Sequence, residues 1–217
     1  MCSGPILGKL LTFTIPLIFS GILQLLFNAA DVIVVGRFAG SQSLAAVGST
    51  TALINLMINI FIGLSVGVNV IVARYYGAKR EKDVQDTIHT AMALSIVSGL
   101  FLIIVGQLLS RPMLELMGTP DDVIDKSTIY MRIIFIGMPA NMIYNFGSAI
   151  LRAVGDTKRP LYFLTAAGVI NVVLNLFFVI MFRMDVAGVA LATAISQAIS
   201  ACLVILCLME SEGGLKL

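Results

Sequence analysis

Apolar residues run along the chain in six long blocks, near residues 11–36, 44–73, 87–110, 127–151, 161–183 and 187–209. A run of about 20 apolar residues makes a helix long enough to cross a ~30 Å hydrocarbon core, and a helix satisfies its own backbone where no water can. The pattern therefore predicts an all-α polytopic membrane protein with six transmembrane helices. The second block is longer than a bilayer requires, so its helix should tilt or project. Turn residues and charges gather between the blocks, in "GRFAGSQS", "RYYGAKREKD", "SRPMLELMGTPDD", "RAVGDTKRP" and "RMDV".

Composition excludes a soluble domain. Of the 217 residues, 59% are apolar and only 12% are charged, and the mean hydropathy is +1.01, too little charge to cover a water-facing surface. The net charge of +2 matters less than its distribution. Nine basic residues fall on the N-terminal side of the membrane: Lys9, Arg74, Lys79, Arg80, Lys82, Arg152, Lys158, Arg159 and Lys216. The opposite side holds five, Arg37, Arg111, Lys126, Arg132 and Arg183, beside the acidic "TPDDVID". The positive-inside rule then sets both termini in the cytoplasm of a multi-pass cell-membrane protein. The first apolar block is too long for a secretory h-region, so it reads as a retained helix. Residues 1–209 read as one six-helix unit, and the polar 210–217, "ESEGGLKL", as the start of a cytoplasmic linker to a second lobe. Six spans and a linker are what half of a two-lobed transporter looks like.

The three cysteines, Cys2, Cys202 and Cys207, form no pairing framework, and the last two have the spacing of small buried hydrophobes. The lone His89 has no companions at ligand spacing. Glycine-rich "GLSVGVN" lies inside an apolar block without a strand or a lysine, so no phosphate loop is read there. One histidine and one membrane-embedded acid assemble no catalytic set. No enzyme activity and no cofactor are expected.

That embedded acid is the chain's sharpest chemical feature. Asp31, in "LQLLFNAADVIVVG", is the only charge between Lys9 and Arg37, and an aspartate at a helix centre costs roughly 2.5–3.5 kcal/mol on insertion scales. Ser20, Gln24, Asn28 and Asp31 project at about 0°, 40°, 80° and 20° around a helix, on one face. Such a stripe faces other helices or a wet cavity. Pro16 removes one backbone hydrogen bond below it, which lets the helix bend. Asn171 and Asn175 share a face of span 5, and Thr193, Ser196 and Gln197 lie on span 6 beside an Ala190, Ala194, Ala198 ladder that reads as close packing. The amides serve equally as interhelical glue or, with Asp31, as the carboxylate and neutral oxygens of a site for a proton or sodium, a hard cation that prefers oxygen. Asn55 and Asn59 on span 2, and Asn141, Tyr144 and Asn145 beside a kink at Pro139 on span 4, are further cavity-lining candidates. The eleven methionines read as core filler or as an adaptable pocket wall.

Several stretches resemble one transporter family: "IPLIFSGILQLLFNAADVIVVGRFAG", "AAVGSTTALINLMINIFIGLSVGVNVIVARYYGAK", "FGSAILRAVGDTKRPL" and "DVAGVALATAISQ". The chain is similar to bacterial multidrug and toxic compound extrusion (MATE) transporters. The resemblance implies two six-span lobes, of which this chain would be the N-terminal one, with alternating access driven by protons or sodium. It implies export of drugs or other amphiphilic organic cations, and a second lobe from the same full-length chain or another copy. It puts a cation or proton site on Asp31, Asn171, Asn175 and Thr193, and a helix kink on Pro16. Some relatives carry a second carboxylate where this chain has Asn175. Two other readings stand beside it: a lipid-linked oligosaccharide flippase of the same superfamily, disfavoured by the lack of Lys or Arg deep in spans 1, 2, 3, 5 and 6, and an inactive truncated membrane protein.

Overall fold

The computed structural model describes residues 6–211, all of whose regular elements are helical. The chain rises through α1 (Ile6–Val34), descends through α2 (Ser41–Gly77) and rises again through α3 (Glu81–Leu116). It descends through α4 (Asp121–Ile136) and α5 (Met138–Ala153), rises through α6 (Lys158–Leu176) and returns through α7 (Asp185–Met209). Five of these rods are long and apolar enough to cross a membrane, and the pair α4–α5 makes a sixth span bent by 47°. The bend falls at Gly137, two residues before Pro139, because proline gives no amide to the preceding turn and its ring crowds the carbonyl four residues back. Pro16, in contrast, is carried inside an unbroken α1.

The helices outrun the hydrophobic blocks. At 1.5 Å per residue, the 37 residues of α2 extend about 55 Å. Much of "RYYGAKREKD" and "SRPMLELMGTPDD", read as connections from their polarity, continues the helices, and the loops shrink to Ala78–Arg80 and Met117–Pro120. Helix does not stop where lipid does, since charged residues with good helix propensity extend a rod into water. The link from the first span to α2 is tighter still. Val35–Ala39 wind as a π-helical turn, and Gly40 alone, at φ 87°, reverses the chain into Ser41. Only glycine takes that φ without strain. A matching π-helical turn, Phe177–Met181, extends α6, and the two π turns pack together.

The packed core follows the bent span. Met131, Phe135, Met138, Met142, Phe146 and Ile150 on α4–α5 are fully buried, enclosed by α2, α3 and α7. The outer face is apolar: Ile18, Leu25, Leu26, Ile104 and Val173 project from the bundle, as lipid-facing residues do. That same solvent overturns the expectation of buried cysteines. Cys202 is exposed and Cys207 half-buried, since a small apolar side chain sits as comfortably in lipid as in a core. Of the alanine ladder, Ala190 is buried and Ala194 faces Gly137 at the bend, whereas Ala198 is exposed. His89 is exposed on α3 and bonds the Gln85 carbonyl at 2.9 Å. Cys2, Lys216 and most of the expected linker lie outside the described residues.

Candidate functional site

Polar residues from six helices converge on one cavity of about 410 Å³ at mid-depth in the bundle. Helices α1, α2, α4, α5, α6 and α7 all contribute, and α3 stands behind. Gln24, Asn28 and Asp31 point in from α1, Asn55 from α2, Asn141, Tyr144 and Asn145 from α5, Asn171 from α6 and Thr193 from α7. The helical stripe that turned Asp31 inward is thus real, though its first member departs. The Ser20 hydroxyl is spent on the Pro16 carbonyl at 2.8 Å and does not line the cavity.

One hydrogen-bonded chain runs along the cavity wall. Asn175 donates its Nδ2 to the Asp31 carboxylate and also to Asn171 Oδ1 at 3.1 Å. Asn171 Nδ2 in turn donates to Thr193 Oγ1 at 3.2 Å and lies 3.5 Å from Ser196 Oγ. Asn175 is fully buried behind the wall, and its own Oδ1, buried as well, has no hydrogen-bond partner among the described residues. A buried orphan acceptor beside a carboxylate offers oxygens of the kind that a hard cation or a shared proton takes. Close packing brings α1 and α6 together here. A Cβ at Gly168 would collide with the Phe27 ring, one turn before Asp31, so only glycine lets α6 approach this closely.

Asn59 is the one cavity-lining candidate that fails. The wall residues of α2 are Val47, Thr51, Ile54, Asn55, Ile58 and Ile62, one per turn except for the adjacent Ile54 and Asn55. Asn59 sits about 100° around the helix from Ile58 and is exposed. Sequence reasoning missed Tyr130 and Thr51, and it noted Ser196 and Gln197 beside the alanine ladder without naming them as cavity-lining, yet all four line the cavity. Tyr130 gave little signal because, in "STIYMRIIF", an aromatic between Ile129 and Met131 reads as core filler. Among the lining residues, Met138 is the only methionine, Asp31 the only acid, and Lys and Arg are absent.

A bundle of apolar helices around a polar, amide-rich cavity at bilayer depth is the architecture of a membrane transporter rather than of an enzyme. The MatE family's sequence profile matches residues 16–177, and the chain belongs to that family. It is 35% identical over 188 residues to the probable multidrug resistance protein YoeA of Bacillus subtilis, a match covering 85% of this chain and 41% of YoeA. The probable multidrug resistance protein YpnP of the same organism is 32% identical, over 91% of this chain and 44% of YpnP. Among solved structures, the outward-facing conformation of a multidrug resistance MATE family transporter of the MOP superfamily matches with a TM-score of 0.88 and 26% identity, over 93% of this chain and 45% of that one. The chain spans less than half the length of these relatives and has the architecture of one lobe of a two-lobed transporter.

Proposed function

We propose that the chain is the N-terminal lobe of a cation-coupled exporter that moves drugs or other amphiphilic organic cations by alternating access. The observation that carries this reading is the hydrogen-bonded chain Asp31–Asn175–Asn171–Thr193 at the edge of the cavity. Asp31, Asn171, Asn175 and Thr193 hold the coupling ion, a proton or sodium. Taking it up neutralises or compensates the only charge on the cavity wall. The network then rearranges, α1 bends at Pro16, and the cavity loses affinity for a cationic substrate. Ion uptake and substrate release are linked because each ligand favours a different state.

A second six-helix lobe, supplied by a longer chain or another copy, closes the cavity from the far side. Both described ends lie on the cytoplasmic side of the cell membrane in this reading. The absence of Lys and Arg from the lining supports cationic cargo over the diphosphate head group of a lipid-linked sugar, which calls for bound cations. The test is Asp31→Asn in energised membrane vesicles with the full transporter. Loss of ion-driven export with normal membrane insertion supports the reading; export at the unmodified rate overturns it.

A further inference from the structure

Helix α3 contributes no residue to the cavity wall, yet it packs along both halves of the bent span that does. Tyr130 and Ile134 on α4, with Met138, Asn141, Tyr144 and Asn145 on α5, face the cavity. Phe135 and Pro139 each stand one position after a lining residue, about 100° further around the helix, and both meet α3 instead.

Two glycines of α3 receive them. A Cβ on Gly106 would collide with the Phe135 ring, and a Cβ on Gly99 with the ring and backbone of Pro139. Gly99 and Gly106 are seven residues apart, two turns along one helical face, and they touch the span on either side of its bend at Gly137. Leu102, fully buried, fills the step between them. Gln107 Nε2 donates to the Arg132 carbonyl at 3.0 Å and fixes the height of α4 against α3. From α7, Ala194 backs the joint, and a Cβ on Gly137 would lie 3.0 Å from its Cβ.

The bent span therefore rests directly on the α3 backbone, with no α3 side chain intervening at either glycine. A methyl added there forces α4 or α5 away from α3. The span lies between α3 and the cavity, so that displacement carries Ile134 and Met138 inward. The cavity, about 410 Å³ in this lobe, is near the lower end of the roughly 300–1,000 Å³ usual for ligand pockets, which leaves little room to lose.

We infer that Gly99 and Gly106 are positioning residues for the cargo. They seat the bent span deep in the bundle, hold Ile134 and Met138 back from the cavity, and so set the size of molecule that it admits. An apolar pocket discriminates about 10–200-fold for a methylene that does or does not fit, so a small inward shift separates large cargo from small.

The probes are organic cations because the inference rests on the export function proposed above. Dissociation constants of tetraethylammonium and the larger tetraphenylphosphonium are measured on the full-length transporter in nanodiscs. Gly106→Ala should weaken tetraphenylphosphonium about ten-fold relative to tetraethylammonium, and adding Phe135→Ala should bring the ratio back toward that of the unmodified protein. Asn69→Leu, which loosens the bundle elsewhere, should leave the ratio unchanged. A purely structural role for Gly106 weakens both cations alike, and that result overturns the inference. Where Gly106→Ala does not fold, Phe135→Ala alone decides. With the ring removed the span settles onto α3, and the ratio should move the opposite way; an unmoved ratio overturns the inference. A cryo-EM structure of the Gly106→Ala transporter reads the cavity without any cargo. Ile134 and Met138 displaced into a smaller cavity support the inference, and an unchanged cavity overturns it. If neither cation binds while the cavity shrinks, the export function fails and the seating role of α3 stands.

Discussion

Asn175 on α6 donates its side-chain amide to the carboxylate of Asp31 on α1, joining residues 144 positions apart in the chain. The same amide also serves Asn171, so one side chain couples the charged helix to the neutral network that ends at Thr193. Both partners stand just before a π-helical turn at the C-terminal end of their helix. Such turns are often found at functional sites, and here the two pack against each other above the bond.

Asn175→Leu keeps the branched outline of the side chain and removes the amide. The Asp31 carboxylate loses its donor and the Asn171 oxygen is left buried and unpaired, at a cost of about 1–3 kcal/mol. The expected outcome is a lower melting temperature in detergent and loss of any stabilisation by sodium or by low pH that the unmodified protein shows. Ion-dependent stabilisation equal to that of the unmodified protein would remove Asn175 from the site.

Gly168→Ala should disrupt the same site without touching a polar group. The added methyl meets the Phe27 ring, and forcing atoms into a packed contact costs about 1–3 kcal/mol. Because Phe27 lies one turn before Asp31, α1 must shift away from α6 and stretch the Asp31–Asn175 contact. Thermal stability and ion-coupled export should fall together, and Phe27→Leu in the same chain should recover part of both. Failure of that second substitution to recover either would show that the strain falls elsewhere.

The legibility of these features follows from their periodicity. Hydrophobic blocks located the spans, because lipid imposes a length on every one of them. Asp31, Gln24 and Asn28 could be assigned to one face from their spacing alone. Their partners on α6 and α7 were chosen by residue chemistry, which cannot say which amide touches which. Asn55 and Asn59 illustrate the limit. Both fit a row at four-residue spacing, yet the wall of α2 follows the row through Ile58 and Ile62, and apolar wall residues carry no distinguishing signal. Tyr130 was missed for a related reason, since an aromatic between apolar residues reads as core filler. The close approach at Gly168 depends on a ring 141 positions earlier, which no local pattern encodes.

Asn69→Leu tests the half of the bundle remote from Asp31. Asn69 Nδ2 donates to the Ala149 carbonyl at 2.7 Å, tying α2 to α5 beside Ser148. Interhelical hydrogen bonds within bilayers contribute about 0.6 kcal/mol on average and about 1.7 at most. The expected loss of stability is therefore small, about 0.5–1.5 kcal/mol, with ion-dependent stabilisation retained because Asn69 is remote from Asp31. A loss of ion response in this variant, measured by the same melting assay, would show that the two halves of the lobe are coupled.

Orientation in the membrane gives the last prediction. The loop at Ala78–Arg80 and the turn at Val154–Thr157 share one end of the bundle with Lys9, Arg74, Lys82, Arg152, Lys158 and Arg159. Of this set, Arg80 and Arg159 pair with Asp83 and Asp156. The opposite end is closer to neutral, because Arg111 pairs with Glu115 and Asp125, and Lys126 pairs with Asp185. Those exposed pairs add little stability, about 0–1 kcal/mol each. The positive-inside rule counts lysine and arginine near span ends, so the expected outcome is that the first end faces the cytoplasm. Single cysteines replacing Ala78 and Gly118 should then label from opposite sides of intact cells. The Gly118→Cys thiol should react with an impermeant maleimide, and the Ala78→Cys thiol only after permeabilisation. The reverse pattern would invert the chain in the membrane.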